Sequence, residues 1–164
     1  MKKTVTFLFV LIAFFIKTNL LVAQDLEGVV KSTDLQVEPY SKWYFEYFEI
    51  AHPNDAVLAR TRDLLNEKKI VVVFGTWCKD SKMWVPYFFR MLDLMQYDPS
   101  KVLLIAVNRD KKARDMDLSK YKIERVPTFI IYDKNENELG RIVETPRYSL
   151  EEDLLEILKS NAKE

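Results

Sequence analysis

The 164-residue chain is 48% hydrophobic and carries 25 basic and 25 acidic residues, enough apolar material for one core and no charge excess for a polyanionic partner. That balance excludes a nucleic-acid footprint, and a single histidine beside a single cysteine leaves too few ligands for an ordinary metal site.

Residues 1–23 stand apart. Lys2 and Lys3 precede an apolar run over 5–16, Lys17 interrupts it, and Leu21-Val22-Ala23 offers a small residue before Gln24. This is the layout of a secretory signal peptide. The run is shorter than the roughly 20 residues that span a bilayer, so cleavage on export to a bacterial periplasm is expected. The alternative is an uncleaved N-terminal anchor facing the same compartment. Three of the basic residues and none of the acidic ones lie in this segment, so the remainder is slightly acidic and needs no stable membrane contact once cut.

Residues 24–53 read as an N-terminal extension. Its aromatic stretch fits a helix through Trp43, Tyr47 and Ile50, or Tyr44 and Phe48, but Trp43, Phe45 and Tyr47 also alternate, which leaves its period open. It either folds over the domain and buries its rings or offers an aromatic surface to a partner. His52 is expected to be structural or solvent-facing rather than a catalytic base.

The main domain, 54–164, opens with a helix that Asn54 can cap, with Val57, Leu58, Thr61, Leu64 and Leu65 on one face. Lys68 and Lys69 are expected in its last turn, where positive charge suits the dipole. Residues 70–74 then form a short β-branched run closed by Gly75, the pattern of a strand buried on both faces. It runs into Thr76-Trp77-Cys78-Lys79-Asp80-Ser81, which holds the only cysteine.

A helix is predicted over 81–96 from Val85, Phe88, Phe89, Leu92 and Met95. Strand, turn and helix put Cys78 at a helix N-terminus, where unpaired N–H groups and the macrodipole favour a thiolate. Lys79 and Asp80 flank the sulfur with opposite signs and largely cancel, so the helix terminus and a Ser81 hydroxyl hydrogen bond are the expected activators. An unpaired thiol in an exported chain is reactive, intermolecularly paired or buried, and this turn argues for reactive.

Pro86 is expected to kink the helix, whose Trp84, Tyr87, Phe88, Met91 and Leu94 make it apolar nearly all round, as core rather than as a cofactor site. After the turn Asp98-Pro99-Ser100, residues 102–107 read as a second fully buried strand, parallel to the first through a right-handed crossover. The charge-rich segment 108–122 reads as a solvated face around a short helix. Its lysines and arginines, with Arg125, offer the lesser alternative of favouring an acidic substrate. Residues 128–132 and 139–144 suggest a hairpin, and Ser149-Leu150-Glu151-Glu152 a capping box before a helix striped by Leu150, Leu154, Leu155 and Leu158.

Three features, separate in sequence and correctly ordered, resemble the thioredoxin superfamily. They are Trp77-Cys78-x-x-Ser81 after a buried strand, Pro86 eight residues beyond the cysteine, and Val126-Pro127-Thr128 before a later apolar run. The resemblance covers roughly residue 54 onward. It implies a thioredoxin-like α/β fold, a central mixed β-sheet flanked by helices, with Pro127 as a cis proline lying against Cys78. It also implies catalytic roles for Cys78 and Ser81, substrate binding by Trp77, Val126, Pro127 and Thr128, and modulation by Lys79 and Asp80.

Two departures matter. Ser81 stands where thioredoxins carry a second cysteine, and Val72 where they tend to carry a buried acid. Losing both together is coherent with a one-cysteine cycle, or none, in place of the dithiol cycle. The expected function is an exported thiol–disulfide oxidoreductase or isomerase acting by mixed-disulfide exchange on protein or small thiol and disulfide substrates, with an external thiol reductant and no cofactor or metal. The alternatives are a non-catalytic binding or chaperone-like module using the Cys78/Pro127 groove, and a peroxide-reducing thiol.

Overall fold

The middle of the domain is a strand with no polar side chain between Ile70 and Phe74. In the computed structural model, which describes residues 25–162, it is β2 (Lys69–Phe74), and Ile70 to Phe74 are each at most 6% exposed. Burying each such side chain contributes about 1.5–3 kcal/mol, so this run alone dictates a strand covered on both faces. The residues 1–23 on which the export expectation rests lie outside the described residues.

Four further strands complete a mixed sheet: β1 (Gly28–Val30), β3 (Val102–Ala106), β4 (Thr128–Tyr132) and β5 (Glu138–Val143), in the order β1-β3-β2-β4-β5. β2 and β3 are parallel, with Val72 beside Leu104, while β1 runs antiparallel to β3 and β4 antiparallel to both β2 and β5. The segment read as an extension therefore supplies the edge strand β1. Its aromatic stretch is α1 (Ser41–Glu49), with Tyr44 buried, Phe45 exposed and Tyr44 stacked on Phe48 at 5.8 Å.

α2 (Asp55–Leu65) starts where the Asn54 side chain accepts from the N–H groups of Ala56 and Val57. It ends earlier than expected. Glu67 takes a left-handed φ of 59° and Lys69 already opens β2, so Lys68 and Lys69 lie beyond its last turn. α3 (Lys79–Leu94) runs through Pro86 as one helix, and α4 (Leu150–Ser160) is capped by Ser149 Oγ, which accepts from Glu152 N–H at 3.2 Å.

All four α-helices send buried side chains to one face of the sheet, onto Ile70, Val72, Phe74, Phe129 and Ile131. The opposite face, with Val71, Val73, Ile105, Val107 and Ile130, packs against Ala113, Tyr121 and Val126 of the segment 107–127. No α-helix forms there. Only a 3-10 turn at Ser119–Tyr121 interrupts irregular backbone, because Asn108 and Asp117 side chains take the local N–H groups and Lys111, Asp115 and Lys122 are left-handed.

Candidate functional site

β2 ends at Phe74, and four residues later the chain enters α3 with Cys78 as its N-cap. Two backbone bonds shape the turn. Cys78 N–H donates to the Gly75 carbonyl at 3.0 Å, and Lys82 N–H donates to the Cys78 carbonyl at 3.1 Å. Cys78 carries no side-chain cap bond, so its sulfur is directed elsewhere: the thiol donates to the Val126 carbonyl at 3.2 Å. The sulfur-bearing residue is half-buried, and the Val126–Pro127 bond beside it is cis.

Ser81 sits under this turn rather than over it. It is fully buried, and its hydroxyl oxygen accepts from Gly75 N–H at 3.2 Å. The partner expected for it, the Cys78 sulfur, is instead paired with Val126. Thr128 is likewise buried, with its hydroxyl donating to the Arg125 carbonyl at 2.7 Å, so its side chain braces the loop before Pro127. The Pro127 carbonyl accepts from Glu144 N–H at 2.7 Å, which ties that loop to the end of β5. Lys79 is exposed and Asp80 half-exposed, and neither joins an ion pair among the described residues.

The Trp77 indole packs closely against Gly75. A Cβ on that glycine would meet the indole at 2.6 Å, so a side chain there is excluded by the ring. The indole N–H donates to the Val107 carbonyl at 2.9 Å, and the Arg109 guanidinium lies 5.4 Å above the ring. Neither partner was singled out from the sequence, where Arg109 was one charge in a mixed run. Thr76, also not singled out, accepts from Leu26 N–H at 3.3 Å and donates to Asp25 at 3.2 Å, so the N-terminal segment leads away beside the thiol turn. No local pattern could have signalled these pairs, which join residues 30 to 51 positions apart.

Val72, in place of an acid, is fully buried in the core, and His52 is exposed. Among the described residues no group of three or more His, Cys, Asp or Glu side chains could hold a metal, and no helix is long and apolar enough to cross a membrane. A cleft of about 600 Å³ lies at the far end of β2, lined by Lys69, Val71, Leu103 and Tyr132, away from the sulfur.

The site is thus a parallel β–α–β unit with a cysteine at the N-cap position of its helix, hydrogen-bonded to the carbonyl before a cis proline. Residues 29–156 match the family described as Thioredoxin, and the chain belongs to that family. A protein of unknown function from Pseudomonas aeruginosa, PA1234, is 17% identical with a TM-score of 0.58, over 77% of this chain and 87% of that one. An HIV epitope-scaffold is also 17% identical, with a TM-score of 0.52 over 74% and 83%. Both likenesses show the fold alone. Mitochondrial thioredoxin 3 from Saccharomyces cerevisiae is 22% identical, with a TM-score of 0.34 over 59% of this chain and 85% of that one. No curated protein sequence matches.

Proposed function

We propose that the protein exchanges thiols and disulfides through Cys78 alone, acting on protein or small-molecule disulfides outside the cytoplasm. The observation that carries this reading is the seat of the sulfur: half-exposed, at a helix N-cap, and hydrogen-bonded to the carbonyl that precedes cis Pro127. Once the proton leaves, the Val126 carbonyl has lost its donor and becomes available to a substrate N–H. Ionising the thiol and seating an extended substrate segment are thereby coupled at one oxygen.

The thiolate attacks the nearer sulfur of R–S–S–R′. The Cys78–S–S–R bond forms, the original bond breaks, and R′S⁻ departs with the electron pair. With a serine at position 81, the mixed disulfide is resolved by an external thiol or by the substrate's own second thiol. That cycle suits isomerisation or reduction of mixed disulfides better than net dithiol transfer. Residues 1–23, as a secretory leader or an anchor, would deliver it to a periplasm, where disulfides persist.

A second reading, a binding module that retains the groove without chemistry, is favoured by the resting thiol and Val126 carbonyl satisfying each other. One experiment separates the two. The exported protein is isolated under acid quench, and whatever is bound to its sulfur is identified by mass spectrometry. A substrate adduct on Cys78, lost in Cys78→Ser along with function, supports exchange; a bare thiol with full function in Cys78→Ser sinks it.

A further inference from the structure

Arg109 differs from several other arginines of the described surface in how its charge is used. Arg90, Arg125 and Arg141 each reach a carboxylate within 3.1 Å, at Asp93, Glu144 and Glu138. Arg109 is exposed and pairs with no acid among the described residues. Its guanidinium instead lies over the ring of Trp77, the residue immediately before the thiol, at 5.4 Å. That ring packs against Gly75 and donates to the Val107 carbonyl.

The loop that carries Arg109 is also held. The Asn108 side chain accepts from the N–H groups of Asp110 and Lys112, both at 3.0 Å. Asn108 N–H donates to the Lys112 carbonyl at 3.0 Å, and Lys111 N–H donates to the Asn108 carbonyl at 2.9 Å. A planar cation resting on an indole keeps its N–H donors at the edge, in a fork that matches a carboxylate. Arg109 is exposed, so its donors are open to solvent.

We propose that Arg109 selects substrates for Cys78, drawing in disulfides that carry a carboxylate near the sulfur pair, such as those flanked by acidic residues in a peptide. The inference rests on the exchange reading above. Substrate carboxylate and guanidinium form a charge-assisted pair beside Trp77, and the Cys78 thiolate then displaces the far half of the disulfide as a thiolate, with no change in the total number of S–S bonds. Arg125, whose charge is already answered by Glu144, is not part of this subsite.

Three alkyl disulfides of matched reach test it: 3,3′-dithiodipropionate (anionic), bis(2-hydroxyethyl) disulfide (neutral) and cystamine (cationic). Second-order rate constants with the full chain are compared as anionic-to-neutral and cationic-to-neutral ratios, which cancel any general effect on the thiol. Arg109→Gln should lower the anionic-to-neutral ratio roughly two- to fivefold, as expected for one exposed charge pair. Arg109→Glu should invert the preference toward cystamine, Arg109→Lys should restore most of the ratio, and added salt should erode it in the parent. Ratios that stay the same in Arg109→Gln and Arg109→Glu overturn the inference while leaving exchange intact. Failure of the parent to react with any of the three overturns the exchange reading itself.

Discussion

Gly75→Ala tests the geometry of the thiol turn through its sign. The new Cβ would lie 2.6 Å from two atoms of the Trp77 indole and 3.0 Å from a third, closer than real side chains pack. The ring is rigid, so it must tilt as a body. Overpacking of this kind costs about 1–3 kcal/mol. Tilting also breaks the indole bond to the Val107 carbonyl, worth about 0.5–1.5 kcal/mol, and loosens the Arg109 stack, worth about 0.5–1 kcal/mol at an exposed site. Against this, alanine restricts the unfolded chain and returns about 0.4–1 kcal/mol. The net is a loss of about 1–5 kcal/mol, centred near 3, which at about 2–4 °C per kcal/mol lowers Tm by about 6–12 °C at the centre of that range. Thermal unfolding followed by circular dichroism reads it. Trp77→Ala removes the obstruction, so adding Gly75→Ala to that background should have little further effect, a coupling that a double-mutant cycle isolates. A Gly75→Ala protein that melts at or above the parent temperature would refute the packing of the ring against the turn.

The remaining expectations concern groups whose partners are buried. Ser81→Ala leaves the Gly75 N–H without its acceptor and should lose about 1–3 kcal/mol in urea unfolding, whereas an unchanged midpoint would mean the hydroxyl does not brace the turn. Glu151 is buried and accepts from Asn54 N–H at 3.0 Å and Tyr87 O–H at 3.1 Å, joining the start of α2 to α3 and α4. Glu151→Ala should therefore destabilise by about 1–3 kcal/mol and Glu151→Gln by less, measured in the same way. Burial pushes the Tyr44 phenol up to about 12, and raises Tyr87 and Tyr97 as well, with the Glu151 and Asp98 charges adding to the rise at those two. The folded chain thus holds these protons more tightly than the unfolded chain, which releases them near pH 10. The stability they contribute is complete below about pH 10 and is lost as pH rises through 12. In an absorbance titration at alkaline pH, these phenols should ionise well above pH 10 while the chain stays folded; full titration near pH 10 in a folded chain would contradict it.

What could be read from sequence was what is local. The run from Ile70 to Phe74, the cysteine at its exit and the stripe of α4 each follow from side-chain periodicity within a dozen residues, and each element lies where its period implied. The edge strand β1 has three residues, too short for any period, and its pairing with β3 joins residues more than seventy positions apart. α1 was ambiguous because rings recur at both spacings; packing decides it, by burying Tyr44 and leaving Phe45 in solvent. The segment 108–122 misled in the other direction. Its charges suit a helix surface, but Asn108 and Asp117 compete for the backbone N–H groups and left-handed residues break the chain into turns. At the site, Cys78 and Val126 were brought together by family resemblance rather than by any feature of their own neighbourhoods. Ser81, expected as catalytic, and Thr128, expected to bind substrate, both have side chains that face inward and bond to backbone.

The proposed exchange requires the fold to make the Cys78 sulfur more reactive than the same residue in an unfolded chain. The direct measurement is the rate at which bis(2-hydroxyethyl) disulfide modifies the folded protein at neutral pH, against the rate for the urea-unfolded chain, both read by intact mass. The expected result is a single adduct on Cys78 that forms faster in the folded protein. A folded protein that reacts more slowly than the unfolded chain would contradict the claim that this turn is built for exchange.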